Sequence, residues 1–419
     1  MESPKLFLNA KEFWVTISIL STIVLIRLVF EYQEYQEFIS KPFYYTEATL
    51  LQEQTKTKDH KIYKILKLKD RDGRVFYTAT YSKEDFVGKL LRVKIVPTED
   101  ISFGDYLGVF YVKSRVKIVG DTPATIKDLF IDGVASQHSD SRVNSFYQAI
   151  FFATPLDRPL RDDISALGVS HLVALSGFHL SILWGVIYGI LAILYRPLQQ
   201  RYFPYRMMLL DMGIVTLIAL GYYLWFVDSP PSLMRSYTML FVAWVLLLLG
   251  IELVSFELLG SVAVLLLALF PYLIVSFGFY LSIVGVFYIY LVIRYGGADK
   301  WLISLLYIPI GIFILMLPIL HSIFGLVSIW QLLSPILSLG FILFYPSVIL
   351  LHIVGYGDLF DDLLIYLFSL PLSHKESLLP IWALSIYLLL SIGSIWSRWL
   401  FGLTFLSALA YGGYIFLWI

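Results

Sequence analysis

The sequence predicts a polytopic α-helical membrane protein with one small all-β domain inserted near its start. Three observations carry this expectation. The 419 residues are 58% hydrophobic and only 15% charged, with mean hydropathy +0.76, whereas soluble chains average roughly 45–50% apolar and about 25% charged. Apolar runs long enough to cross a bilayer recur through most of the chain. Residues 41–120 hold 16 Lys/Arg and 10 Asp/Glu, 26 of the 62 charged residues in about a fifth of the length. That segment has a net charge of +6, which the zero balance of the whole chain conceals and which suits anionic partners. There is no cysteine, so disulfides, thiolate metal sites, Fe–S clusters and cysteine nucleophiles are excluded.

Residues 1–40 read as an anchor. The run Phe13 to Phe30 is of spanning length, contains Arg27 and lacks a small-residue cleavage site. Lys5 and Lys11 precede it, and Glu31, Glu34 and Glu37 follow. The positive-inside rule therefore puts the N-terminus in the cytoplasm and the next domain outside, in the periplasm of a Gram-negative cell.

Residues 41–120 read as strands. Lys67 and Lys69 alternate with Leu66 and Leu68, Arg92 and Lys94 with Leu91, Val93 and Ile95, and Arg115 and Lys117 with Val116 and Ile118. Asp70-Arg71-Asp72-Gly73 is a hairpin turn signal, with Gly73 supplying positive φ. Several short strands within about 80 residues suggest a small OB-like barrel on the extracytoplasmic side.

Residues 121–165 turn helical and mixed, with Phe130, Val134, Phe146 and Phe151 among polar residues, as in an amphipathic connector lying against a membrane domain. Residues 166–419 form the multi-helix domain, with spans expected at approximately 178–195, 207–227, 232–250, 252–270, 271–293, 301–320, 323–353, 378–397 and 399–418. Arg196, Arg201 and Arg206, then Arg294 and Lys300, fall on the cytoplasmic side by parity. The acidic loop Asp358, Asp361, Asp362 and the short run 363–372 leave the C-terminal side open.

Four places break the rules of an apolar span, where unwound backbone survives only if protein or a wet cavity supplies hydrogen bonds. They are His171 through His179, Asp228-Ser229-Pro230-Pro231-Ser232 with Arg235, Ser276-Phe277-Gly278, and Phe324-Gly325 through Gln331, Ser334 and Pro335. Gly177 invites a break that leaves His171, Ser176 and His179 near a helix start, where free N–H groups attract anions. Three other readings are open there: both histidines bonded to carbonyls in a packed bundle, Ser176 and His179 as nucleophile and base of an intramembrane hydrolase, or a metal held by His171, His179 and Asp163. Arg235 costs about 2.5–3.5 kcal/mol at mid-span unless paired or wet, so it either faces the bundle or snorkels to the outer interface. Pro335 is expected to kink or split the run 323–353, marking a translocation site or an ordinary kink. Ser276 and Gly278 also suit close helix contacts.

Taken together, Leu160-Arg161-Asp162-Asp163 and Leu167-Gly168-Val169-Ser170-His171-Leu172 leading into Ser176-Gly177-Phe178-His179 resemble the signature of the ComEC-type competence DNA channels. Pro231-Ser232-Leu233-Met234-Arg235 with Met239, Phe277-Gly278-Phe279-Tyr280-Leu281-Ser282, and Phe324-Gly325 followed by Ser334-Pro335 fall in the family's order. The family also carries an OB-like outer domain after its first helix. The resemblance implies a channel in the cytoplasmic (inner) membrane that passes one strand of DNA during natural transformation. Three departures stand out: the chain ends in membrane at Ile419 without a metallo-β-lactamase-like domain or a His-x-His-x-Asp-His cluster, it has no outer-domain cysteine pair, and Gln331 replaces an asparagine.

A single strand is held by cations on its phosphates and aromatic faces on its bases. Lys67, Lys69, Arg92, Lys94, Arg115 and Lys117 are the expected outer contacts, or else a solvated strand face. Inside the bilayer the expected path comprises Arg161, Asp163, His171, Ser176, Gly177, His179, Arg235, Ser276, Gly278, Gln331 and Pro335. So few cations suit a conduit that must release what it binds, by analogy with ion pores. No cofactor, metal or catalytic residue is expected. No Gly-x4-Gly-Lys-Ser/Thr motif occurs, so the expected partners beyond the lipid bilayer and single-stranded DNA are a periplasmic DNA-binding competence protein, a cytoplasmic ATPase or single-strand-binding protein, and a separate nuclease. The alternative is an intramembrane hydrolase or a transporter of another solute.

Overall fold

The computed structural model describes residues 6–417 except 8, 59–60, 83, 123–124, 253, 298–305 and 371–374. Lys5, Lys300 and the first part of the expected span 301–320 lie outside the described residues. The chain divides into two compact units, Phe7–Leu129 with Gly260–Tyr280, and Phe130–Leu259 with Leu281–Ile419.

The first unit begins with α1 (Ala10–Ser40), capped by Asn9, whose side chain accepts from the Glu12 N–H at 3.0 Å. Strands β1 (Tyr44–Lys58), β2 (Lys61–Asp70), β3 (Val75–Thr80) and β4 (Lys89–Val96) follow. Then come α2 (Phe103–Leu107), β5 (Val109–Tyr111) and β6 (Lys113–Asp121). The sheet runs β5-β3-β2-β1-β4-β6, with β5 parallel to β3 and the other pairs antiparallel.

Only Val112 separates β5 from β6, so one bent segment edges both β3 and β4 and the sheet closes on itself. Across the closure the Val112 N–H donates to the Tyr77 carbonyl at 2.9 Å, and the Thr78 and Ser114 hydroxyls meet at 2.8 Å. Closure removes sheet edges that would otherwise pair with other chains. Inside, Leu66, Leu68, Phe76, Leu91, Val93 and Ile95 are fully buried, as the period-2 alternation requires. Phe38 and Tyr35 from the end of α1 join this core. Gly73 sits at φ +86° in the β2–β3 turn, its N–H donating to the Asp70 carbonyl at 3.1 Å.

The second unit is helical. Short helices α3 (Ile126–Ala135), α4 (Ser141–Phe152), α5 (Arg158–Ala166) and α6 (Ser170–Val173) precede α7 (Gly177–Tyr202), α8 (Met208–Phe226) and α9 (Pro231–Leu248). There follow α10 (Phe256–Leu269) and α11 (Phe277–Tyr295), whose residues from Gly260 to Tyr280 belong to the first unit, and then α12 (Ile308–Ile323), α13 (Ser334–Val354), α14 (Asp361–Phe368), α15 (Ile381–Gly393) and α16 (Arg398–Leu417). Among the described residues of the whole chain, seven helices are long and apolar enough to cross a membrane: Ala10–Ser40, Gly177–Tyr202, Met208–Phe226, Pro231–Leu248, Phe277–Tyr295, Ile329–Val354 and Arg398–Leu417. Large apolar side chains on their surfaces, such as Ile193 and Leu343 at 75% exposure, are suited to lipid.

Several expected spans take another form. The run 271–293 opens as a 3-10 turn, Pro271–Val275, and becomes α-helical only at Phe277. The run 323–353 is not one helix: Leu326–Val327 pairs with Lys375–Glu376 as a short ribbon, a 3-10 turn covers Ile329–Leu333, and α13 starts at Ser334. Pro335 therefore neither kinks nor splits a helix. It lies in the first turn of α13, where an N–H has no intrahelical partner to lose. Among the described residues, the prolines inside helices are Pro197, Pro318 and Pro346. Of the connector, α4 is largely buried, with Val143, Tyr147 and Ile150 fully so, packed with Phe341 and Tyr345 of α13 in one core.

Two outcomes test the barrel. Gly73→Ala, strained at positive φ, is expected to destabilise the β2–β3 hairpin by about 1 kcal/mol, read as faster amide hydrogen exchange there. Asp70 is 5% exposed, and burial pushes its carboxyl pKa up. A raised folded-state pKa means that the ionised form weakens the fold, so stability rises as pH falls through that pKa. Asp70→Asn is expected to remove this component of the pH dependence of hairpin exchange.

Candidate functional site

The helical unit brings three sequence blocks together around the start of α7. At the first, Gly168 adopts φ +70° and ends α5 with its N–H on the Ser165 carbonyl at 3.0 Å. A Cβ at Gly168 would lie 3.2 Å from Gln331 Cγ, so only glycine allows this approach. Four-residue α6 follows, and the chain then unwinds over Ala174 to Ser176 before α7 begins at Gly177.

Ser176 is the N-cap of α7. Its Oγ accepts from the Phe178 N–H at 3.3 Å, and its own N–H donates to His179 Nδ1 at 3.3 Å. This is a capping box in which histidine stands where glutamate or glutamine usually does. The His179 ring is fully buried, edge-on to Phe341 and Tyr345 at 5.1 and 4.8 Å between centroids.

The second block is the start of α9. Ser232 Oγ donates to the Leu175 carbonyl at 2.8 Å, which satisfies one group freed by the α6–α7 break. A Cβ at Gly177 would meet Ser236 Oγ at 3.0 Å. Between these serines lies Arg235, buried at 8% exposure, so it faces protein and does not snorkel outward. Before it, Asp228 and Ser229 both take positive φ, 63° and 51°, ahead of the two prolines.

The third block is the break before α13. Ser334 Oγ donates to the Gly168 carbonyl at 2.9 Å, and Gln331 Nε2 to the Leu326 carbonyl at 3.0 Å. Ser338 Oγ donates to the Ser334 carbonyl at 2.7 Å, so at 3.1 Å from His171 Nε2 it must accept, and His171 Nε2 carries a proton. His171 is exposed, unlike His179.

His171, Ser176, Gly177, His179, Gln331 and Pro335 are thus placed in one laced region, which the α9 serines flanking Arg235 join. Arg161 and Asp163 lie on α5, tied to it through Ser165, whose Oγ donates to the Arg161 carbonyl and meets Ser170 Oγ at 3.0 Å. Ser276 and Gly278 belong to the other unit. There Ser276 caps α11, its Oγ accepting from the Phe279 N–H at 3.3 Å. The expected break at this position is present.

The hydrolase and metal readings find no geometry. Ser176 Oγ lies 3.4 Å from His179 Nδ1, an atom that already accepts the Ser176 N–H. No carboxylate is hydrogen-bonded to His179 among the described residues. His171 and His179 turn their engaged nitrogens to Ser338 and Ser176 respectively, and no group of three His, Asp or Glu among the described residues is arranged to hold an ion.

In the other unit, the six expected outer cations share one face. Tyr45, Lys94 and Arg115 stand in one row across β1, β4 and β6, and Glu47, Arg92 and Lys117 in the next. Lys67 and Lys69 of β2 lie on the same outward side, opposite Tyr77 and Val75 of β3. Sequence reasoning missed the aromatic half of this surface. Lys94 Nζ lies 3.9 Å from the Phe43 ring centroid, Arg92 is 5.2 Å from Tyr45, and Lys67 is 5.7 Å from Tyr77. Phe43, Tyr45 and Tyr111 are about half exposed. The period-2 phase of Arg92 and Lys94 was the available signal, once the β1–β4 register is known.

A family model described as "Competence protein" matches residues 153–418. The chain belongs to the competence protein family. That match covers the laced blocks at α6–α7, α9 and α13, while the β-rich segment precedes it. No curated protein and no solved structure matches the chain. The family is one of DNA uptake in natural transformation, and this member is a multi-pass membrane protein.

If Ser176 serves as a cap, Ser176→Asn keeps both thermal stability and DNA uptake, while Ser176→Ala loses about 1 kcal/mol. A nucleophile would not tolerate either change. Gly177→Val is expected to lower stability by about 1–3 kcal/mol through the α7–α9 contact, with partial rescue by Ser236→Gly in a thermal-shift assay.

Proposed function

We propose that this competence protein conducts one strand of DNA across the cytoplasmic membrane, its β-barrel lying outside as the receiving surface. The observation that carries the reading is the barrel face on which Lys67, Lys69, Arg92, Lys94, Arg115 and Lys117 are interleaved with exposed aromatic rings. Phosphates are neutralised by the cations and bases stack on the rings, without sequence preference. Glu47, the acid in the middle of the face, is paired with Arg71 at 2.6 Å, which limits its repulsion of a polyanion.

In the membrane the strand would meet few charges. Arg235, Arg161 and the N–H groups at interrupted helix starts are suited to weak, successive phosphate contacts. His171 is exposed at the same break, its Nε2–H held by Ser338. Weak contacts let the strand advance. Force, outer delivery and degradation of the complementary strand fall to partners: a cytoplasmic ATPase or single-strand-binding protein, a periplasmic DNA-binding competence protein and a nuclease.

Replacing Arg92, Lys94, Arg115 and Lys117 together with glutamine is expected to weaken single-stranded DNA binding about tenfold or more. It should also flatten the salt dependence by about 0.7 in log–log slope per lost phosphate contact, measured by fluorescence anisotropy. Tyr45→Ala is expected to cost about 1–3 kcal/mol if one base stacks there. Unchanged affinity and slope in the quadruple variant would remove the barrel face from the proposal.

A further inference from the structure

A second polar cluster, separate from the laced blocks, lies where the turn after α3 meets the end of α13 and the start of α14. The His138 side chain is 0% exposed and stacks on Tyr147 at 4.5 Å. Its Nδ1 is 3.0 Å from both carboxylate oxygens of Asp361, and its Nε2 is 2.9 Å from Nε2 of His352. His352 Nδ1 is 2.6 Å from the Val348 carbonyl. Gln137 clamps the same corner, accepting from the Gly357 N–H at 2.9 Å and donating to the His352 carbonyl at 3.1 Å. A Cβ at Gly357 would stand 2.6 Å from Gln137 Oε1 and 2.8 Å from His352 Nε2, so the corner closes only on glycine.

The pattern of partners sets how many ring protons these contacts need. A carbonyl only accepts, so His352 Nδ1 carries hydrogen. Asp361 presents two oxygens to His138 Nδ1, the geometry of a carboxylate accepting from N–H. Both Nδ1 atoms are then protonated, and a 2.9 Å contact between the two Nε2 atoms needs one hydrogen between them. Two neutral imidazoles hold two ring protons, whereas this pair holds three.

We propose that the chain Asp361–His138–His352 binds one proton beyond two neutral rings, and that this proton fastens the α3–α4 turn to the end of α13. His138 is the imidazolium, neutralised by Asp361, and donates through Nε2–H to a His352 held in its Nδ1–H tautomer. Loss of that proton leaves two lone pairs facing each other at 2.9 Å, and gain of another leaves two opposed N–H groups. Either change removes the bond. Among the described residues, Tyr147 is the other titratable group against the pair, stacked on His138 and edge-on to His352 at 4.7 Å. No Lys or Arg is ion-paired to Asp361 among the described residues. The far end of α13 carries Ser334 and Ser338, which hold the Gly168 carbonyl and His171, so the proton secures the helix on which the laced region rests.

The test is nitrogen NMR of the full chain labelled with 15N-histidine in nanodiscs near neutral pH. The expected spectrum contains one imidazolium and one neutral Nδ1–H ring that share a coupling between their Nε2 nuclei, both missing from His138→Gln and His352→Gln. Asp361→Asn is expected to abolish the imidazolium. Two neutral Nε2–H rings without the coupling would overturn the proposal, as would signals that shift on adding EDTA, which would mean a metal ion between the nitrogens. The coupling is read in the unsubstituted chain, so the result does not depend on a variant folding.

Discussion

An apolar helical unit that interrupts its helices must find partners for each backbone group it frees, because lipid offers none. That constraint organises the second unit. The carbonyl of Leu175 takes the Ser232 hydroxyl, that of Gly168 takes the Ser334 hydroxyl, and that of Leu326 takes the Gln331 amide. The break at Phe324-Gly325 is covered by a distant strand, with the Ser377 N–H on the Gly325 carbonyl at 2.7 Å and the Leu379 N–H on the His321 carbonyl at 3.0 Å. The short polar side chains of the family motifs are spent largely on this work. They keep unwound segments stable where continuous helix would be cheaper, and so hold a few donors at fixed places in an otherwise apolar unit.

The first unit follows the opposite logic. Strand alternation separates a dry interior of Leu66, Leu68, Leu91, Val93 and Ile95 from a wet exterior of lysine and arginine, and closure through the bent β5–β6 segment makes that exterior continuous. Aromatic rings on the same exterior hold the long cationic side chains by their faces, which restricts their rotamers.

Much of this was legible in the sequence, for physical reasons that differ by element. Period-2 alternation assigned Lys67, Lys69, Arg92, Lys94, Arg115 and Lys117 to one side of their strands, because a strand offers only two sides. Gly73 marked its turn, because few other residues take positive φ. Spans such as Gly177–Tyr202 were visible from apolar length alone. Pro335 was misread because hydropathy does not show where a helix starts, and a proline in the first turn looks like one in the middle. Ser176 and His179 also left open the reading of a nucleophile and base, since the three-residue spacing of a capping box is also one at which a hydroxyl and an imidazole meet. The contacts of His138 with His352 and Asp361 span more than two hundred residues, and nothing local in the sequence announces them.

The most direct measurement of the central claim is photo-crosslinking of a single strand arrested during uptake, with a photoreactive residue in place of His171 or Tyr45, and in place of lipid-exposed Ile193 as the control. The expected result is crosslinked DNA at positions 171 and 45 and none at 193. Crosslinks of equal yield at 193, or none at 171 while DNA still reaches the cytoplasm, would contradict a path through the laced start of α7.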